Sequence, residues 1–151
     1  MIRNKLNKNF ASAAFVSSML LGLVFGCGGG SGKTCVGKLT VDGKTFQGSA
    51  SEVTTDLKGE DRVEAQARQN ACSSYCIEGD QGYDRLYQEF IKTPEAKKVP
   101  IDFNQEKISL KEKKWAAMDN EKLRRYIDQC QQGCLKLHEN GMQKIEVVCQ
   151  Q

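Results

Sequence analysis

Cys72-Ser73-Ser74-Tyr75-Cys76 lies within a stretch, from about Asp61 to Ile77, in which Glu, Ala, Gln and Arg dominate. That composition favours a helix, and Gly79 marks its end. Two cysteines four residues apart share one helical face. They do not readily bond to each other, because their Cα atoms sit near the edge of disulfide reach and their Cβ vectors aim poorly. The same spacing recurs in Cys130-Gln131-Gln132-Gly133-Cys134, inside a second helical pattern over about 121–139. The economical solution is two helices side by side, joined twice. Antiparallel helices give Cys72–Cys134 and Cys76–Cys130; parallel helices give Cys72–Cys130 and Cys76–Cys134. The antiparallel pairing is the expectation.

Working outward, the segment that begins at Cys35 alternates, with Cys35, Gly37, Leu39 and Val41 on one face. Asp42-Gly43 supplies the two positive-φ residues that a type I′ hairpin turn needs. In that register Leu39 opposes Phe46 and Gly37 opposes Gly48, and paired glycines on a core face allow close approach by a helix. A last strand over 143–149 places Ile145, Val147 and Cys149 on one face. Pairing it antiparallel to the first strand makes Cys35–Cys149 the third bridge.

Between these parts, Tyr83, Leu86, Tyr87, Phe90 and Ile91 mark an amphipathic helix over roughly 81–92. Residues 94–108 contain Pro94 and Pro100 and read mostly as a connection. Ser109 and Glu112 have capping-box spacing. A helical stretch covers Trp115 to Met118 and breaks at Asp119-Asn120. In the 121–139 helix, Leu123, Tyr126, Ile127, Cys130, Cys134 and Leu137 form the apolar stripe, and Asn140-Gly141 stops it. The expected fold is therefore α+β: a three-stranded antiparallel sheet, order 3-1-2, packed with about three helices and stapled by three disulfides over residues 35–151.

The N-terminus explains the seventh cysteine. Residues 1–9 are polar and basic, and residues 10–25 are apolar with scattered serines. The layout is that of a signal peptide, shorter than the roughly 18–20 residues a spanning helix needs. Its end, Val24-Phe25-Gly26-Cys27, resembles the lipobox of bacterial lipoproteins, in which a small residue precedes an invariant Cys and an aliphatic residue stands three before it. Phe25 occupies a place usually small or aliphatic. The resemblance implies cleavage after Gly26, so that residues 1–26 are the signal peptide. It also implies a diacylglycerol thioether and an N-acyl chain on Cys27, and attachment to a bacterial envelope membrane. Gly28 is not the Asp that retains lipoproteins in the inner membrane of enteric bacteria, which favours the outer membrane. Residues 27–34 then form a lipidated Cys and a Gly/Ser-rich tether. The run Gly28 to Thr34 also looks like a phosphate-binding loop, but the position that loop reserves for its first Gly is Cys27.

Charge and residue chemistry narrow the function classes. The chain carries 22 basic and 19 acidic residues. Arg3, Lys5 and Lys8 account for the excess, so the processed chain is formally neutral. The segment from Lys38 to Cys76 resembles the generic β-β-α unit of double-stranded-RNA-binding domains, but a neutral chain offers no basic footprint and no nucleic-acid partner is expected. The paired Cys-x₃-Cys spacing resembles the helical hairpins of small mitochondrial intermembrane-space chaperones, whose motifs are joined by a much shorter loop; it reflects shared stapling physics. Zinc sites favour Cys-x₂-Cys or Cys-x₄-Cys in turns, and redox enzymes favour Cys-x-x-Cys at a helix start. His138 is the only histidine and sits where a helix C-terminus favours positive charge. No serine has a nucleophile context, and the charged run from Glu106 to Lys114 reads as solvated. Neither a catalytic site nor a metal site is nominated. The expected role is a non-enzymatic envelope lipoprotein with a binding domain for an envelope protein. The alternatives are a thiol-redox or metal-binding envelope protein, and an inhibitor of a cell-wall hydrolase or protease.

Overall fold

The computed structural model describes residues 32–59 and 61–150. Val24, Phe25, Gly26 and Cys27 lie outside the described residues. Strand β1 (Thr34–Val41) begins one residue before Cys35 and turns through Asp42 and Gly43 into β2 (Lys44–Ser51). Both turn residues have positive φ, 49° and 76°, as a type I′ turn requires. β3 (Ile145–Gln150) pairs antiparallel with the other side of β1, so the order is β2-β1-β3 with β1 central. Leu39 faces Phe46, and Gly37 faces Gly48.

Helix α1 (Arg62–Glu78) crosses one face of this sheet. It runs in the direction of β1: Val63 and Ala67 pack with Cys35 and Ala50, and Gly79 at its end reaches Phe46. The two facing glycines make this approach possible. A Cβ on Gly37 would stand 2.5 Å from the Ala67 carbonyl oxygen, and one on Gly48 would stand 2.2 Å from the Ala71 amide nitrogen. Those contacts are with backbone, which cannot rotate away. The buried Ser74 hydroxyl completes the join by donating to the Gln47 carbonyl at 2.7 Å.

Helix α4 (Glu121–Glu139) lies along α1. Cys72 is bonded to Cys134, and Cys76 to Cys130. The N-terminal cysteine of each helix meets the C-terminal cysteine of the other, the antiparallel arrangement. The third bridge, Cys35–Cys149, joins directly opposed residues of β1 and β3. Between the helical bridges, Gln131 Nε2 donates to the Ser73 hydroxyl at 2.5 Å and to the Gln69 carbonyl at 3.1 Å.

The described residues hold four α-helices, the three main ones expected and the stretch around Trp115 to Met118. α2 (Gln81–Phe90) is two residues shorter than its apolar pattern suggested, and α3 (Leu110–Asp119) is a full helix. The Ser109–Glu112 capping box that starts α3 is present. Asn120 ends α3 and caps α4, accepting from the Leu123 amide at 3.0 Å. Tyr83, Tyr87 and Phe90 of α2 meet Ile77, Ala116, Ala117 and Leu123 in a second core. The segment 94–108 is more than a connection: Ala96 and Val99 are buried in this core, and Ile101, Phe103 and Ile108 pack on it. Leu137 departs from its expected place, being exposed, while Leu135 packs inward. Among the described residues no helix is long and apolar enough to cross a membrane.

Candidate functional site

The six cysteines nominated as structural are all joined in disulfides, which sets the chemistry open to them. Cys35 Sγ, Cys149 Sγ and a Glu64 carboxylate oxygen lie within 4.8 Å of one another, a cluster that invites a metal reading. The two sulfurs are bonded to each other, so neither is a thiolate donor. Glu64 is engaged by Lys33 at 2.7 Å and Arg68 at 3.4 Å. The Lys33 ammonium holds the Glu64 carboxyl below the usual carboxylate range, and Glu64 raises Lys33 in return. The cluster is an ion pair beside a staple.

His138 does more than complement a helix end. Its Nδ1 lies 3.1 Å from the Gln143 carbonyl and 3.3 Å from the Ile145 amide. It donates to the first or accepts from the second according to tautomer. Either way it ties the end of α4 to the start of β3.

A small, largely apolar cleft lies where α1, α3 and α4 converge, with a volume of about 210 Å³. Its apolar surface comes from Ile77, Ala117 and Ile127. Ser73 lines it as well, with its hydroxyl committed to Gln131. Lys114 and Met118 of α3 and Arg124 of α4 also line it, and Asp128 contributes the single carboxylate. Burial pushes the Lys114 ammonium below the ordinary lysine range, against the opposing pull of Glu78. Among the described residues, neither Lys114 nor Arg124 has a carboxylate within 4.0 Å, as holds for most of the lysines and arginines; what sets Lys114 apart is its partial burial against the cleft.

The lip of the cleft continues along the outer face of α3. Lys111, Lys114, Trp115 and Met118 stand at i, i+3, i+4 and i+7 and therefore share a stripe. Trp115 is 48% exposed and Met118 is 70% exposed, both large apolar side chains turned away from the core. The opposite face of the same helix buries Ala116 and Ala117. Apolar periodicity alone did not single out this stripe, because its apolar residues point outward and interleave with lysines. The signal available was Trp115 and Met118 three apart, out of phase with the alanines that pack.

The chain matches no protein-family model, no curated protein and no solved structure.

Proposed function

We propose that this chain is a bacterial envelope lipoprotein, held to its membrane through acyl chains on Cys27, whose disulfide-stapled domain is a non-enzymatic binding module. The observation that carries the reading is the cysteine bookkeeping. Six of the seven cysteines form three bridges, and the remaining one stands in the lipobox-like Val24-Phe25-Gly26-Cys27. Three disulfides suit an oxidising compartment such as the periplasm. Two or three acyl chains anchor stably, where a single chain is marginal. The partly apolar cleft with its unpaired cations supports binding as the domain's task. The absence of Asp at position 28 favours the outer membrane, with residues 27–34 as the lipidated Cys and its tether.

Metabolic labelling with palmitate tests the anchor. The full-length chain expressed in a bacterium should take up label and fractionate with membranes, and Cys27→Ser should abolish both. Label on the Cys27→Ser chain, or none on the parent, would overturn the lipoprotein reading. Intact mass without reductant should be six hydrogens below the reduced value for the three bridges. A smaller deficit would reopen thiol-redox or metal chemistry.

A further inference from the structure

We propose that the cleft between α1, α3 and α4 takes an acidic, apolar peptide segment of a partner protein. One apolar side chain enters among Ile77, Ala117 and Ile127, and flanking carboxylates lie on Lys114 and Arg124. The inference rests on the domain being a binding module and names what it binds.

Charge argues first. A partly desolvated ammonium without an anion is unfavourable, and an arriving carboxylate recovers that cost through a charge-assisted hydrogen bond. Lys114 comes close to that position: it is half-buried at the lip of an apolar cleft, and Glu78 acts on it only from beyond 4.0 Å, which leaves its hydrogen-bond donors free of a direct carboxylate. Arg124, from α4, lines the same cleft and has no carboxylate within 4.0 Å among the described residues. Asp128, also in the lining, stands one helical turn from Arg124 on α4, so it opposes a carboxylate at its own end and makes Lys114 the stronger anion contact.

Shape and area argue for a chain segment over a small molecule. A cleft of about 210 Å³ accommodates one aliphatic side chain, yet Trp115 and Met118 extend the apolar surface beyond it. Tryptophan is enriched among residues that dominate interface energetics, and methionine adapts its shape to a partner. A basic, aromatic helix face also suits an anionic bilayer. Here the surface is concave, and Asp128 lines it, with Asp119 exposed at the end of α3. It also lies at the Ile77 end of α1, about 21 Å along that helix from Val63, which packs near the tethered start of β1.

Trp115 is the chain's single tryptophan, so its fluorescence reports on this lip alone. The full-length chain in phosphatidylcholine nanodiscs is titrated with the synthetic peptide Asp-Asp-Leu-Leu-Asp-Asp. A saturable blue shift is expected, weakened by about tenfold or more in Lys114→Glu and Arg124→Glu and retained in Lys114→Arg. Peptides with Ser for Leu or Lys for Asp should not saturate. Met118→Lys, at an exposed position, tests the apolar half without disturbing the core and should also weaken binding. Circular dichroism establishes that each variant is folded. Absence of saturation, equal binding of the lysine peptide, or indifference to charge reversal would overturn the proposal. So would a shift that needs no peptide and follows protein concentration, which marks a second copy as the occupant. A shift produced only by phosphatidylglycerol nanodiscs, marking the bilayer, would overturn it as well. Palmitate labelling is independent of all these outcomes, so a labelled chain that ignores the peptide refutes this inference and leaves the anchor standing.

Discussion

Gly37 stands directly opposite Gly48 across β1 and β2, and the backbone of α1 occupies the space that two side chains there would fill. The sheet and helix are in contact through main chain at this point. Gly37→Ala and Gly48→Ala should each destabilise the domain by about 3 kcal/mol or more, because the added methyl meets peptide atoms that cannot rotate aside. Denaturant melts with an unchanged slope would measure the loss.

Gly133 provides the opposite case. It lies inside α4 between Cys130 and Cys134, and a Cβ there would meet nothing within 4 Å. Gly133→Ala should stabilise by about 0.5–1 kcal/mol, the helix-interior difference between the two residues. Thermal melting of the oxidised protein would detect it as a raised midpoint.

The three bridges differ in access to a reductant. Both cysteines of Cys72–Cys134 are buried, whereas Cys149 and Cys130 are each partly exposed. Thiolate attack needs a reachable sulfur. Under native conditions with a small thiol, Cys72–Cys134 should therefore open last. Alkylation of the freed thiols followed by peptide mass mapping gives the order. Replacing the Cys35–Cys149 pair by alanines, across a sequence separation of 114 residues, should cost about 4 kcal/mol.

Two neighbouring tyrosines should respond oppositely to losing a hydroxyl. Tyr83 donates to the Lys113 carbonyl at 3.0 Å, so Tyr83→Phe should cost about 1 kcal/mol. The Tyr87 hydroxyl is buried without a hydrogen-bond partner among the described residues. Tyr87→Phe should be neutral or stabilising, since it removes a polar group that gains nothing from burial. Paired urea titrations would separate the two.

Alkaline pH should unfold the domain through the same rings. Burial pushes Tyr87 up to about 12 and raises Tyr83 further. Burial and the Asp80 carboxylate push Tyr126 up to about 12. In the unfolded chain these phenols ionise from their ordinary value near 10. The stability they contribute is complete below about pH 10 and is lost as pH rises toward 12. Lys114 acts in the other sense. Its folded value is lowered, so its penalty is relieved as pH climbs toward the ordinary lysine range, and one lysine offsets only part of three tyrosines. Urea midpoints should therefore fall between about pH 9 and about pH 11.5.

Much of the architecture was legible because it rests on local rules. Asp42-Gly43 sets the hairpin register, and that register puts Gly37 on Gly48. Ser109 and Glu112 start α3 by reciprocal hydrogen bonds that their spacing announces. The i, i+4 cysteines require two helices face to face. What escaped was long-range. Pro94 and Pro100 punctuate a segment that nevertheless carries Val99, Ile101 and Phe103 into a core. Periodicity shows which face of a helix is apolar, not what lies across from it, so the pattern places Leu137 inward where Leu135 in fact packs. The cleft depends on how three helices converge, and no single stretch encodes it. Outward-pointing Trp115 and Met118 look like noise until the packed alanines of α3 are known.

The bond between Cys35 and Cys149 has a mechanical meaning. The strands that begin and end the domain lie side by side and are welded at facing positions. Tension applied at Lys33 and resisted at Gln150 meets the sulfurs and the adjoining β1–β3 pairs first, before the rest of the sheet and the helices. A pull between the two ends of the domain therefore loads a covalent link first, along a path that does not run through the cleft between α1, α3 and α4.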